Sequence, residues 1–354
     1  MWSLEKLGWN PVLAARFEAL AAEGLSAGRV SVEHKDVYGV YAPEGELRGV
    51  LAGRLRHRAS GRADLPVTGD WVAIHARPAE GRATIHAVLP RRSLFSRKVA
   101  GAATEEQAVA ANADTVFLVC GLDGDFNLRR IERALVLAAE SGAEPVVVLT
   151  KADLCPDPPA RQEEVRRIAP AVTVLVASSV TGEGLAALSA YAGPGLTVAL
   201  VGSSGVGKST LVNRLLGRDV VPTAPVRAHD DRGRHTTTSR ELIPIPAGGW
   251  IIDTPGLREL QLWADEAALP SAFADVDAVA AGCRFRDCRH ESEPGCAVLA
   301  ALADGRLSPE RFVSFVKLRK EMRHLALRQD AWARQVENRR IRSVHRLARR
   351  RPRE

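Results

Sequence analysis

The sequence contains no uninterrupted apolar run of the ~20 residues that a membrane-spanning helix requires. Its opening stretch, MWSLEKLGWNPVLAARF, carries an acidic side chain and no apolar segment followed by a small-residue cleavage site. That pattern does not resemble a secretory signal peptide. An integral membrane protein and an exported protein are both disfavoured, so we expect a cytoplasmic protein with no membrane partner.

Cysteine is scarce, with five residues in a chain of 354. An odd number of cysteines does not suit a disulfide framework, and three of them lie with one histidine in CRFRDCRHESEPGC. The spacing C-x4-C-x-H-x5-C matches a closed tetrahedral Cys₃His zinc site, which leaves no position for a catalytic water. We therefore predict one structural zinc ion per chain, with free thiols on a helix as the alternative. The predicted zinc ligands are Cys283, Cys288, His290 and Cys296.

Lysine is also scarce, since only seven lysines accompany 42 arginines. The formal net charge of +7 is unevenly distributed: residues 29–98 carry +6, residues 331–354 carry +7, and the remainder carries −6. Two basic segments around an acidic middle favour a polyanionic partner, most often a nucleic acid. The other interpretation is a solvated basic surface in an arginine-rich proteome.

Two hydrophobic patterns divide the chain. Residues 29–90 show about five short strands between Gly, Pro and Asp turns, which predicts an all-β barrel of the OB type, with the basic segment 90–98 as a connector. From residue 114, buried apolar strands alternate with amphipathic helices, the pattern of a parallel α/β sheet. After residue 280, the cysteine-rich segment leads into a mainly α region. The predicted multidomain boundaries are an N-terminal arm at 1–28, the barrel at 29–98, the α/β domain at 99–272 and the zinc-binding and basic helical domain at 273–354.

The stretch GSSGVGKST follows an apolar strand and precedes a helical pattern, which is the context of a phosphate-binding loop. Its glycines let backbone N–H groups turn toward a phosphate at a helix N-terminus. Lys208 is predicted to contact the β- and γ-phosphates during catalysis, and Ser209 to ligate Mg²⁺. The alternative is an ordinary glycine turn before a helix. The predicted nucleotide-binding residues here are Gly202, Ser203, Ser204, Gly205, Val206, Gly207, Lys208, Ser209 and Thr210.

A second phosphate element, WIIDTPG, follows about 45 residues after Lys208. Asp253 ends an apolar strand and is predicted to hold the Mg²⁺ shell through water, and Gly256 to offer its N–H to the γ-phosphate. Between the two elements, the polar loop 227–241 contains Thr237, which we assign as a nucleotide-binding switch residue and Mg²⁺ ligand. An ordinary threonine-rich strand entry is the other interpretation. The alternative switch residues are Thr236 and Thr238.

The stretch TKAD has the form of a guanine-binding motif, in which the Asp accepts from the base and the Lys stem packs on it. VLVASSVTGEGL, further along, resembles the segment that backs the base. Both precede the phosphate loop, whereas an ordinary GTPase has them after it. Since nucleotide sites form at the carboxyl ends of parallel strands, joining the termini and cutting elsewhere leaves the site in place. The order predicts a circularly permuted P-loop GTPase that binds GTP and GDP, with a P-loop ATPase or kinase as the alternative. The predicted guanine-binding residues are Thr150, Lys151, Ala152, Asp153 and Ser178.

The barrel, the permuted motif order, the cysteine–histidine motif and the basic helical end together resemble the RsgA family of small-ribosomal-subunit biogenesis GTPases. The resemblance extends to LGW, VTGDWV, PRRSLFSRK, GRHTTTSRE and GGWIIDTPGL, and so covers nearly the whole chain. It implies a cytoplasmic GTP hydrolase that binds the small ribosomal subunit and its rRNA late in assembly, through the barrel and the zinc region. The ribosome is expected to stimulate hydrolysis, and hydrolysis to drive release. We expect a monomer.

Two positions depart from common GTPase patterns. Thr150 stands where this family usually has Asn, which affects the expected nucleotide affinity. Leu257 stands where many GTPases place a glutamine that orients the attacking water, so intrinsic hydrolysis should be slow. His235, in the switch loop, is our candidate for that catalytic role; a ribosomal group or a plain surface histidine are the other interpretations. Leu257 also favours a nucleotide-sensing rRNA-binding scaffold with negligible turnover, which the complete set of Mg²⁺-holding residues disfavours.

Overall fold

The computed structural model describes residues 2–34, 36–98, 106–219, 221, 240–254 and 268–323. The chain begins with helix α1 (Pro11–Ala22), whose first N–H groups are capped by the Asn10 side chain, which accepts from the Leu13 N–H at 3.0 Å. Leu13 and Phe17 of this helix are buried. In the described residues, no helix is both long enough and apolar enough to cross a bilayer.

Five strands form the predicted barrel: β1 (Ser26–His34), β2 (Val37–Ala42), β3 (Gly45–Leu51), β4 (Trp71–Arg77) and β5 (Arg82–Val88). They pair in the order 1-2-3-5-4, and β4 returns to β1 through pairs such as Arg29 with Trp71, which closes the sheet. Val40, Val72 and Ile85 fill its interior. A short helix, α2 (Gly53–Arg58), follows β3. The OB-type barrel is thereby confirmed.

The basic segment 90–98 is more than the connector that the sequence predicted. It contributes strand β6 (Leu94–Lys98), which pairs antiparallel with β7 (Glu106–Ala111). Arg91 lies just before this strand and donates to both carboxylate oxygens of the buried Asp70, at 2.9 and 2.8 Å. The pairing strand begins only at Glu106 and the buried carboxylate lies 21 residues before Arg91, so the segment by itself showed only a run of basic residues.

In the described part of the chain, the sheet of the α/β domain consists of β8 (Thr115–Gly121), β9 (Glu144–Thr150), β10 (Thr173–Val176), β11 (Thr197–Gly202), β12 (Glu241–Pro244) and β13 (Trp250–Asp253). Their order is 10-9-8-11-13-12, and all neighbours are parallel except β12 and β13. The helices described around them are α3 (Leu128–Ser141), α4 (Pro158–Ile168), α5 (Leu185–Ser189) and α6 (Lys208–Leu216). Every residue of β8 is buried, as expected of a strand inside a parallel sheet.

A buried arginine joins the N-terminal arm, the barrel and the α/β domain. Arg29, on β1, donates to the Leu7 carbonyl at 2.5 Å and to the Thr197 hydroxyl at 2.8 Å, and its guanidinium lies 5.4 Å from the Trp71 ring centre. Burial lowers the pKa of Arg29 to about 10. Barrel and α/β domain are also linked directly, since β1 pairs with β12 at Val32 and Glu241.

The C-terminal region is helical, with α7 (Leu269–Ala272), α8 (Ala274–Ala280), α9 (Ala297–Ala303) and α10 (309–323). Arg311 of α10 fixes this region to the α/β domain. Its guanidinium donates to Glu132 of α3 at 2.6 Å and to Asp275 of α8 at 2.8 Å, and it stacks 4.2 Å from the Phe273 ring centre. The numerical boundaries of the four predicted domains stay a prediction, and the basic tail 331–354 lies outside the described residues.

Candidate nucleotide site and metal cluster

The predicted phosphate loop connects β11 to α6 at the carboxyl edge of the parallel sheet. Gly202 closes the strand so tightly that a Cβ there would lie 2.4 Å from the Val119 carbonyl oxygen, which only glycine avoids. Gly205 and Gly207 have φ angles of +84° and +95°, in the left-handed region that favours glycine. The loop therefore has the backbone freedom that turning N–H groups toward a phosphate requires.

Lys208 is buried at the first position of α6, with 6% of its surface exposed. Its ammonium donates to the carbonyl oxygens of Gly202 and Ser203 at 2.9 and 2.7 Å. Burial lowers the pKa of Lys208 to about 8, while the carboxylates of Asp253 and Asp125 act in the opposite direction. The residue is thus held inside the loop, close to where a bound phosphate would lie.

Asp253 ends β13 and lies close enough to Lys208 of the phosphate loop for their charges to interact. Only 2% of its surface is exposed, and its Oδ2 has no hydrogen-bond partner among the described residues. Burial raises the pKa of Asp253 to about 6, and the charge of Lys208 opposes this rise. A buried carboxylate oxygen without a partner, beside a phosphate loop, fits a role in holding a hydrated cation such as Mg²⁺.

The guanine motif meets the phosphate loop through Thr150. The Thr150 hydroxyl donates to the Val206 carbonyl oxygen at 2.6 Å, 56 residues away in the chain. Lys151 has a left-handed φ of +59° and its ammonium lies 2.5 Å from a carboxylate oxygen of Asp123. Thr150 therefore ties the two motifs together, and this bond uses its single hydroxyl proton.

The remaining guanine residues are also brought together. The Ser178 hydroxyl donates to Asp153 Oδ1 at 2.5 Å and accepts the N–H of Thr181 at 3.1 Å. The buried Ala152 donates its N–H to the Ala177 carbonyl at 3.2 Å. The segments TKAD and ASSVTG thus form one corner of the sheet edge, adjoining the phosphate loop.

Several predicted residues lie outside the described part of the chain. They include the catalytic candidates His235 and Gly256, the switch residue Thr237 with its neighbours Thr236 and Thr238, and Leu257. Their roles stay predictions.

Sequence reasoning missed three charged residues beside the phosphate loop. Asp123, Asp125 and Arg130 follow β8, the strand next to β11. Asp123 pairs with Lys151, and the Arg130 guanidinium donates to the Ser203 hydroxyl at 3.1 Å. The available signal was their position in GLDGDFNLRR, directly after a buried strand, because all parallel strands deliver their following residues to one edge.

The four predicted zinc ligands form a compact cluster. One ligand atom from each lies within 4.8 Å of the others. His290 directs Nδ1 at the cluster, 3.6 Å from Cys283 Sγ and 3.4 Å from Cys296 Sγ, and adopts a left-handed φ of +62° to do so. Three sulfurs and one imidazole nitrogen at this spacing are a suitable donor set for a tetrahedral metal ion. The cluster is able to bind a metal.

The chain also resembles known proteins over most of its length. The family model described as RsgA GTPase matches residues 88–263. A protein of Opitutus terrae named small ribosomal subunit biogenesis GTPase RsgA is 51% identical over 93% of this chain and 92% of its own length. A protein of Syntrophotalea carbinolica with the same name is 42% identical over 98% of this chain and 97% of its own length.

The chain belongs to the RsgA GTPase family. Membership in this family makes it a GTP hydrolase, which the nucleotide site described above agrees with. It does not favour the ATPase or kinase interpretation of the phosphate loop.

Solved structures confirm the fold that the RsgA family assignment implies. YjeQ from Thermotoga maritima superposes with a TM-score of 0.62 at 28% identity, over 84% of this chain and 98% of that one. YloQ, described as a circularly permuted GTPase, superposes with a TM-score of 0.59 at 22% identity, over 85% of this chain and 96% of that one. At this identity, the likeness concerns the fold alone. The predicted combination of barrel, permuted GTPase and C-terminal helical region with a Cys₃His cluster is confirmed.

Proposed function

We propose that this protein is a ribosome-stimulated GTPase that binds the small ribosomal subunit and its rRNA late in assembly and leaves after GTP hydrolysis. The meeting of Lys208, Asp253 and the TKAD corner at one sheet edge carries the nucleotide part of this proposal. The names of the curated relatives supply the process, since they are called small ribosomal subunit biogenesis GTPases. These names do not favour a scaffold without turnover.

In the proposed reaction, the buried Lys208 stabilises the negative charge that develops on the γ-phosphate. Ser209 and Thr237 would hold Mg²⁺, with Asp253 acting through its water shell, and the Gly256 N–H would contact the γ-phosphate. Because Leu257 has no hydrogen-bonding group, the attacking water is oriented by His235 or by a ribosomal group. Intrinsic hydrolysis is therefore slow, and the ribosome raises it.

The base is recognised as guanine by Asp153, with the Lys151 stem packing against it and Ser178 fixing the Asp153 carboxylate. The 2.5 Å hydrogen bond between Ser178 and Asp153 supports this assignment, because it orients the acceptor before the nucleotide arrives. Thr150 keeps the link to the phosphate loop but has no amide to offer the base.

The metal of the Cys₃His cluster is proposed to be zinc in a structural role, since four protein ligands fill its coordination. The loop between the ligands exposes Arg284, Arg286 and Arg289, which suit contacts with phosphates of rRNA. The barrel supplies the second rRNA-binding surface. We propose that the protein acts in the cytoplasm as a monomer.

The proposal is tested by GTP turnover of the purified protein, with and without isolated small subunits. Slow turnover that rises sharply only with small subunits is the expected result. Lys208→Ala supplies the inactive reference, and isolated large subunits test specificity. Tight GTP-dependent binding to small subunits without any rise in turnover would refute the hydrolysis-driven cycle and support the scaffold.

The role of His235 has its own test. His235→Ala should lower the turnover reached with small subunits while leaving the dissociation constant for GTP nearly unchanged, because the residue acts on the water and not on the nucleotide. Undiminished stimulated turnover in this variant would assign the orientation of water to a ribosomal group.

A further inference from the structure

Helix α3 begins directly beside the phosphate loop, and Arg130 in its first turn reaches that loop. The Arg130 guanidinium donates to the Ser203 hydroxyl at 3.1 Å. The same nitrogen donates to the carbonyl oxygen of Asp125 at 3.4 Å and to the Asp125 carboxylate. Arg130 therefore links Ser203 of the phosphate loop to the segment that follows β8.

With Gly202, Ser203 is also one of the two residues whose carbonyl oxygens hold the phosphate-loop lysine. Its carbonyl oxygen accepts from the Lys208 ammonium at 2.7 Å, while its hydroxyl accepts from Arg130. One residue thus receives hydrogen bonds from both cations. If Arg130 were removed, the Ser203 side chain would lose its partner from α3, and the carbonyl that holds Lys208 would be less firmly placed.

The position of Arg130 is itself fixed by the packing of α3. Two residues further along, the buried Glu132 accepts from Arg311 at 2.6 Å. The next residue, Arg133, makes a two-bond pair with Glu321 of α10 at 2.7 and 2.8 Å. Glu132 lies on the face of α3 opposite Arg130, whereas Arg133, three residues after Arg130, lies on nearly the same face. Both contacts anchor the helix, so Arg130 projects from a rigid element and not from a loop.

We propose that Arg130 is a positioning residue for GTP hydrolysis, which acts through Ser203 to hold Lys208 at the phosphate site. The inference rests on the proposed role of Lys208 in the reaction. Charge stabilisation of a phosphoryl transition state depends on a cation held in place before the reaction, and small displacements lower the rate steeply. Because the contact is partly exposed, with 39% of the Arg130 side chain accessible, we expect a moderate effect on the rate.

The test uses Arg130→Met, Ser203→Ala and the double variant, with Arg129→Met as a matched control. Arg129 is the neighbouring arginine on the same helix and is exposed. Single-turnover hydrolysis is measured at saturating GTP with small subunits, and the dissociation constant for GDP is measured by titration with a fluorescent analogue. Arg130→Met and Ser203→Ala are each expected to lower the hydrolysis rate about tenfold.

Three further results are expected if the residue acts by positioning. The dissociation constant for GDP changes less than about threefold, because Lys208 still reaches the β-phosphate, whereas the hydrolysis rate depends more steeply on how its charge is placed. The double variant is no slower than the slower single variant, because both changes interrupt one connection. Arg130→Lys, which keeps the charge, recovers part of the rate.

The proposal is overturned if Arg130→Met hydrolyses GTP as fast as Arg129→Met while Lys208→Ala is inactive. It is also overturned if the double variant slows hydrolysis by the product of the two single-variant factors, because the two residues would then act independently. If the urea midpoint shows that Arg130→Met folds poorly, Ser203→Ala takes its place in the test. The proposal is then overturned if Ser203→Ala hydrolyses GTP as fast as Arg129→Met. Full activity in Lys208→Ala would contradict the proposed function itself, which separates that failure from failure of the positioning role.

Discussion

One buried arginine, Arg311, makes polar contacts with both the metal-binding region and the α/β domain, and its removal gives a sharp prediction. In Arg311→Met, the side chain keeps a similar length but loses its charge and all its donors. Glu132 of α3, whose side chain is 4% exposed, is left with only the Ser314 hydroxyl as a described partner. The carbonyl oxygens of Ile168 and Ala272 also lose the donors that now lie at 2.9 and 2.6 Å.

The expected size of the effect follows from this burial. Breaking a buried ion pair by removing one partner destabilises a protein by about 3–5 kcal/mol, because the remaining charge stays buried without compensation. Asp275 is the more exposed partner, with 34% of its side chain accessible, and its loss of Arg311 is expected to add little to the destabilisation because water can hydrate it. The double variant Arg311→Met/Glu132→Leu removes both buried charges and should regain about 2 kcal/mol or more of the loss.

Native-state hydrogen exchange of the amides in α10 measures this local stability directly. Glu321→Gln is the control, because it breaks the pair with Arg133, whose two side chains are 25% and 38% exposed, and should change the protection by about 1 kcal/mol or less. A loss of protection in Arg311→Met no larger than in the control would refute the reasoning. A double variant less stable than the single one would refute it as well.

Four other changes test the remaining sites. Gly202→Ala places a Cβ 2.4 Å from the Val119 carbonyl, so nucleotide binding measured by calorimetry should be lost while the barrel stays folded by circular dichroism. Thr150→Val removes the hydroxyl bonded to the phosphate loop and should weaken GDP binding about three- to tenfold, with Thr150→Ser close to the unchanged protein; equal affinities would contradict the link. Cys283→Ser should abolish the one equivalent of bound zinc measured by atomic emission and lower the helical signal in circular dichroism; zinc retained in this variant would exclude Cys283 as a ligand. Deletion of 331–354 should weaken binding to small subunits and flatten its salt dependence, and an unchanged slope would leave the tail without a role in RNA binding.

Local motifs allowed much of this protein to be predicted from sequence. The phosphate loop, TKAD and the cysteine–histidine spacing each place the required atoms within a short segment, where chain geometry leaves few alternatives. The permuted order was predictable for a related reason, because parallel strands deliver all these segments to one sheet edge in whatever order the chain visits them. The alternation of apolar residues likewise predicted the barrel and the α/β sheet.

The contacts between segments were decided only by the tertiary structure. Strand β6 exists because β7 pairs with it, and Arg91 finds a buried carboxylate 21 residues away. Arg130 and Ser203 are 73 residues apart, and Arg311 and Glu132 are 179 apart. Whether an arginine at such a position is solvated or bound depends on which strands and helices become neighbours. Which elements become neighbours is determined by burial of apolar surface over the whole chain, so it cannot be predicted from a local pattern of charges.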